Sequence, residues 1–251
     1  MTAREASPGF GGWLRRLTAV PGIGLRRALW GETLRQRAAT EAAALVDEVV
    51  VSAAALDRDA VVAYLPLADL PGVAAVAGPG VLGGVLLAAR ELDLPGCQLL
   101  LEHPGPAAAP GGLGPPPDPE LDTLTLGQRR AAARGQRSPL LDRLAADPDP
   151  RVVREVLRNP RLREREVVAI ASRRPCPEAV FRLLAASETW VRRPAVRRAV
   201  VLNPHAPPQL AVALAVLLAG PELGEVAQRE RLHPALRDGA VQILAWRRGA
   251  A

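Results

Sequence analysis

The sequence predicts an all-α protein: a helical N-terminal region, a stiff linker, and a second half in which short helices pile up in series. Three observations carry that prediction. From Leu124 onward, helical segments of about 8 to 14 residues alternate with proline-marked turns. Apolar residues inside these segments recur at helical spacing, as in Val152, Val153, Val156 and Leu157, or Val196, Val200 and Val201. The only two asparagines, Asn159 and Asn203, each precede a proline and stand 44 residues apart, close to one two-helix or four-short-helix repeat.

Composition narrows the classes of function. A chain of 251 residues, 49% hydrophobic and 23% charged, can bury a real core in one large or two smaller domains. Aromatic residues make up 3%, so that core must be Leu, Val and Ala. All 32 basic residues are arginine, a bias that fits a GC-rich bacterial genome. The absence of lysine excludes Schiff-base, pyridoxal and phosphate-loop lysine chemistry. A net charge of +6 allows an acidic protein, nucleic acid or lipid surface as partner. Cys97 and Cys176 lie far apart without neighbouring ligands, which fits reduced thiols in a cytoplasmic setting. His103, His205 and His233 are not spaced as a metal pair, so neither metal nor cofactor is expected.

The N-terminal region, residues 1–102, opens on a basic stretch. Pro21, Gly22 and Gly24 interrupt its apolar run, so it does not read as a secretory signal. Within it, residues 13–30 set Trp13 and Trp30 around apolar residues and four arginines. Two readings stand side by side: a peripheral membrane contact or docking peptide, and an ordinary first helix packed on the rest. One helix is expected from Glu32 to Leu56, rich in good helix formers. Short helices punctuated by proline and glycine follow. The uncharged run Leu70–Ala89 is about long enough to span a bilayer, but two prolines and five glycines make it buried helix and turn. Cys97–His103 reads as a last helical turn or a short strand. Residues 103–121, dense in proline and glycine, form the linker.

The repeat domain is expected over residues 122–251. Proline opens most of its helices, at Pro139, Pro150, Pro177, Pro208 and Pro234, where its missing N–H costs nothing. Ser138 and Asp149, each directly before such a proline, can cap the free amides. Each helix has one apolar stripe, too small to stand alone, and stacking buries it. At the Asn-Pro corners the asparagine oxygen can close a turn onto the amide two residues on. The proline then ends the helix and redirects the chain.

On Leu144, Ala145, Asp147, Pro148, Val152, Asn159 and Pro160 the chain resembles the bacterial leucine-rich-repeat-variant units. More broadly it is similar to HEAT-like helical solenoids. A poorer copy runs through Val196, Arg197, Asn203 and Pro204, and the likeness covers roughly residues 138–220. The resemblance implies a superhelix of short helices with a binding surface in place of a reaction centre. The iron–sulfur centre of some repeat-variant proteins is not carried over, because the first half holds one cysteine.

Between Leu126 and Val200 stand eighteen arginines against eight acidic residues. Candidate partner contacts are Arg154, Arg158, Trp190, Arg192, Arg193, Arg197 and Arg198. In one reading the arginines contact anions and Trp190 offers a stacking surface. In the other they are solvated helix faces, and Trp190 plugs the core at a repeat junction. A tryptophan followed by paired arginines is also similar to HEAT-like alkylpurine DNA glycosylases, but their aspartate-bearing motif has no counterpart. Asp147 with Asp149 and Glu164 with Glu166 are two apart, a spacing that caps or decorates helices without facing two carboxylates together. The expected function is a non-catalytic scaffold or adaptor for another protein, with nucleic-acid binding through the same arginines as the alternative.

Overall fold

The computed structural model describes residues 9–105, 118–135 and 139–249. The central stretch of the expected linker, 106–117, and the expected cap Ser138 lie outside the described residues. Every regular element among the described residues is helical. In chain order these are α1 (Phe10–Ala19), α2 (Ile23–Gln36), α3 (Ala39–Ala54), α4 (Arg58–Tyr64), a 3-10 turn (Leu65–Ala68), α5 (Leu70–Ala77), α6 (Val81–Glu91), α7 (Pro95–Leu101), α8 (Pro119–Asp122) and α9 (Leu126–Arg134). They continue as α10 (Pro139–Leu144), α11 (Pro150–Arg158), α12 (Glu164–Ser172), α13 (Glu178–Ala186), α14 (Glu188–Val191), α15 (Pro194–Val201), α16 (Pro208–Ala215), α17 (Gly220–Gln228) and α18 (Pro234–Gly249). Cys97–His103 is therefore largely helix, and α8 begins inside the stretch expected to be linker.

The chain divides into two compact units, and not at the boundary the sequence suggested. Unit 1 joins Met1–Gly105 to Pro208–Ala251; unit 2 is Pro106–Pro207. Residues 208–251, expected to continue the repeat, pack instead with the N-terminal region. The first of their helices, α16, is strongly apolar: every residue from Leu210 to Leu218 is buried. Such a segment needs cover on all sides.

In unit 1, α3 packs against α4, α6, α7 and α18. Its buried Ala42, Ala43, Val46, Val49, Val50 and Ala53 are small enough to let neighbours approach from several directions. The helix expected from Glu32 to Leu56 is broken at Arg37 and Ala38, both extended. No proline or glycine marks the break. It lets α2 bury Trp30 and Leu34 while α3 turns a different face to its own partners. Where α2 meets α5, Gly31 makes the approach possible: a Cβ there would stand 2.5 Å from that of Val76.

Short helices multiply ends, and each end leaves carbonyls or amides without an intrahelical partner. Long side chains from elsewhere in unit 1 satisfy them. The Trp30 indole donates to Ala63 O at 2.7 Å, and the Tyr64 hydroxyl donates to Ala213 O at 2.7 Å. Arg247 donates to Ala54 O, Val216 O and Leu218 O, at the ends of α3 and α16. At the opposite kind of end, the buried Asp47 of α3 accepts the first amides of α7, Gly96 N at 2.7 Å and Cys97 N at 3.1 Å. No single described helix is long and apolar enough to cross a membrane.

Unit 2 contains one motif twice. Its first copy is α9, α10 and α11; its second is α12, α13 and α15, with the four-residue α14 placed before α15. In the first, the Asn159 amide donates to Ala133 O at 2.9 Å and Gly135 O at 3.0 Å, while its oxygen accepts Arg161 N at 3.0 Å. In the second, the Asn203 amide donates to Ala171 O and Arg173 O, both at 2.8 Å, and its oxygen accepts His205 N at 3.0 Å. The expected turn is present at both corners. The amide side of each asparagine does more, tying the third helix back to the end of the first.

Candidate interaction surface

The arginine excess belongs to unit 2. Pro106–Pro207 holds eighteen arginines and eleven acidic residues, a charge of +7; the remainder holds fourteen and fifteen, a charge of −1. Part of that arginine is internal to the fold. Arg173 donates to Ala145 O and Ala146 O, tying the second copy to the end of α10 in the first. Arg174 donates to Leu202 O. Arg130 and Arg134 on α9 clamp Glu155 on α11, with contacts of 3.0 to 3.1 Å. Hydrogen bonds from Arg134 first, then Arg130, hold the Glu155 carboxyl down at about 2.

The candidate contacts separate by burial. Arg197 is 9% exposed and donates to Val191 O and Arg192 O, closing the end of α14. Trp190 is 6% exposed, and its indole N–H donates to Leu157 O at 2.8 Å. The tryptophan is the plug at the junction between copies, and its ring offers no face for stacking. Both are corrections to the list of candidate contacts: an indole or guanidinium this enclosed, with carbonyl partners at hand, is structural.

The other five are on the surface: Arg154, Arg158, Arg192, Arg193 and Arg198 are all exposed. Arg192 stands 3.4 Å from Glu188, and Arg193 3.6 Å from Glu164. These exposed pairs contribute little to stability. Arg154 and Arg158 have no carboxylate within ion-pair distance among the described residues, nor does the exposed Arg161 just past the Asn159 corner.

The acidic pairs are used for local structure. Asp149 caps α11 by accepting Arg151 N at 2.8 Å, and Asp147 accepts Asp149 N at 2.8 Å. Glu166 accepts Arg163 N at the start of α12, while Glu164 faces Arg193.

In unit 1, Trp13 and Trp30 are 5% and 0% exposed and meet edge to face, ring centroids 4.7 Å apart. Of the two readings of residues 13–30, the packed helix describes where these rings lie. Their apolar faces are spent on the core and are not presented to a lipid interface.

Fold and charge together define a protein, all-helical among the described residues, with a duplicated three-helix motif and a net positive charge that falls in the unit that carries it. Comparison of the chain with family models, curated proteins and solved structures found no match.

Proposed function

We propose that this protein is a non-catalytic helical-repeat scaffold or adaptor, of the HEAT-like or leucine-rich-repeat-variant kind, working in a bacterial cytoplasm. In this reading unit 2 holds another protein by that partner's acidic surface. The observation that carries the reading is the segregation of charge: the entire net positive charge lies in unit 2, and five of the seven candidate contacts are exposed there. A charge so placed steers an acidic partner to one part of the molecule and sets its orientation. The duplicated Asn-closed motif supports the repeat kinship, and two buried free thiols fit a reducing compartment.

The test compares wild type with R154E/R158E/R192E/R193E/R198E, which reverses all five exposed candidate contacts, in affinity isolation from the native host, read by quantitative mass spectrometry. A titration of duplex DNA against salt runs in parallel. The adaptor reading expects acidic proteins that are lost with the charge reversal, and DNA binding no stronger than nonspecific. DNA binding that persists to physiological salt, falls steeply with added salt and vanishes in the variant would instead identify a nucleic-acid binder.

A further inference from the structure

The helix α11 carries its outward arginines on one line. Arg151, Arg154 and Arg158 fall at i, i+3 and i+7, all exposed, while Val152, Val153, Val156 and Leu157 are buried. Arg151 is held by Asp149. The next two are not held by any acidic residue among those described.

The duplicated motif shows that the fold does not require a cation at two of these three positions. At the matching positions of α15, 44 residues on, stand Ala195, Arg198 and Leu202. Alanine and leucine form helix at least as well as arginine; Ala195 is exposed and Leu202 half-buried. The first copy therefore carries Arg151 and Arg158 where its sister has no cation, while Arg154 has its counterpart in Arg198.

We infer that the outer face of α11 is the docking line for an acidic helical segment of the partner protein, its carboxylates one turn apart opposite Arg154 and Arg158. This inference rests on the proposed adaptor reading and specifies its partner. Four residues of helix advance about 6 Å, so carboxylates at i and i+4 on a facing helix match the two guanidiniums. Each can then be held by paired N–H donors of the planar guanidinium.

Two observations favour a short acidic helix over an extended polyanion. Phe181 and Trp190, the only Phe, Tyr or Trp residues of unit 2, are both buried, which leaves none of those rings for a base to stack on. The exposed Arg182, Arg192 and Arg193 each stand beside a glutamate, Glu178, Glu188 and Glu164. Those carboxylates offset the positive potential that a long phosphate backbone would need to follow.

The experiment uses the full chain and three labelled probes in fluorescence anisotropy at about 50 mM salt. Two are peptides of about sixteen residues, long enough to be helical, of identical composition. One has its glutamates aligned at i, i+4 and i+7; the other has them spread around the helix. The third is a DNA duplex of about 20 base pairs. The aligned peptide is expected to bind about tenfold tighter than the spread one, and R154E/R158E to weaken it about tenfold or more. R192E/R193E should change its binding less than about threefold. Circular dichroism and thermal melting confirm that each variant is folded. Equal binding of the two peptides, no binding of the aligned one, or indifference to R154E/R158E overturns the inference. If R192E/R193E alone abolishes binding, the α11 line falls and the acidic-partner reading stands. If the duplex binds more tightly than either peptide and R154E/R158E weakens it, both fall.

Discussion

Asn159 and Asn203 perform the same task at different sequence separations. Asn159 reaches back 26 residues to Ala133 O, and Asn203 reaches back 32 to Ala171 O, the difference being the stretch that includes α14. The underlying motif therefore repeats every 38 residues, measured from Ala133 to Ala171, and the 44-residue spacing of the asparagines contains an insertion.

Removing either asparagine amide leaves two carbonyls at a helix end without a partner. Asn159→Ala and Asn203→Ala should each cost about 2–3 kcal/mol in urea or thermal denaturation. Asp at either position should be worse than Ala, since its carboxylate faces the same two carbonyls. A loss under about 0.5 kcal/mol would show that these corners are held by other contacts.

Asp47 presents a parallel case in unit 1. Asp47→Ala strands the buried amides of Gly96 and Cys97 and should cost roughly 2–4 kcal/mol, while Asp47→Asn, which keeps an acceptor, should cost less. Gly96→Ala should destabilise by about 1–3 kcal/mol by overpacking, because its Cβ would lie 3.1 Å from Asp47 Oδ1 and 3.2 Å from Val50 Cβ.

Acid should weaken unit 2 through Glu155. Its folded pKa of about 2 lies below the ordinary 4.5, so the unfolded chain takes up the proton first. The clamp on Arg130 and Arg134 is fully effective above about pH 5 and is lost as the pH falls toward 2. Near neutral pH, Glu155→Gln should lower Tm by roughly 2–4 °C. The gap from wild type should close as the pH approaches 2. A constant gap across that range would show that the charge contributes nothing.

Unit 1 should survive removal of unit 2. His103 Nδ1 and Gln209 Nε2, flanking the excised stretch, stand 3.5 Å apart, so a short glycine–serine link can join Gly105 to Pro208. The shortened chain should be helical and melt in one cooperative transition. Cys97, whose thiol is pushed up to about 12 by burial and then by the nearby Asp47, should resist thiol reagents until that transition. Immediate labelling or a broad, non-cooperative melt would contradict the division into two units.

Local chemistry placed several helix starts of unit 2 in advance. Pro139, and Pro150 with Asp149 before it, need nothing beyond the adjoining residues to set their first turns. The Asn-Pro corners were legible for the same reason, since the asparagine oxygen bonds an amide two residues away. The exposure of Arg154 and Arg158 followed from the valine periodicity of α11. Other features left no local signal. Nothing beside Arg37 and Ala38 marks a helix break, and nothing near Trp190 says that its indole will find Leu157 O, 33 residues earlier.

Which arginine reaches back to cap a carbonyl was likewise decided only by folding, as Arg197 shows beside the exposed Arg198. So was the return of residues 208–251 to the N-terminal unit. The cause is common to all of them. A chain of short helices has many orphan carbonyls, and the donor that reaches each one is chosen by proximity in space, which neighbouring residues do not encode.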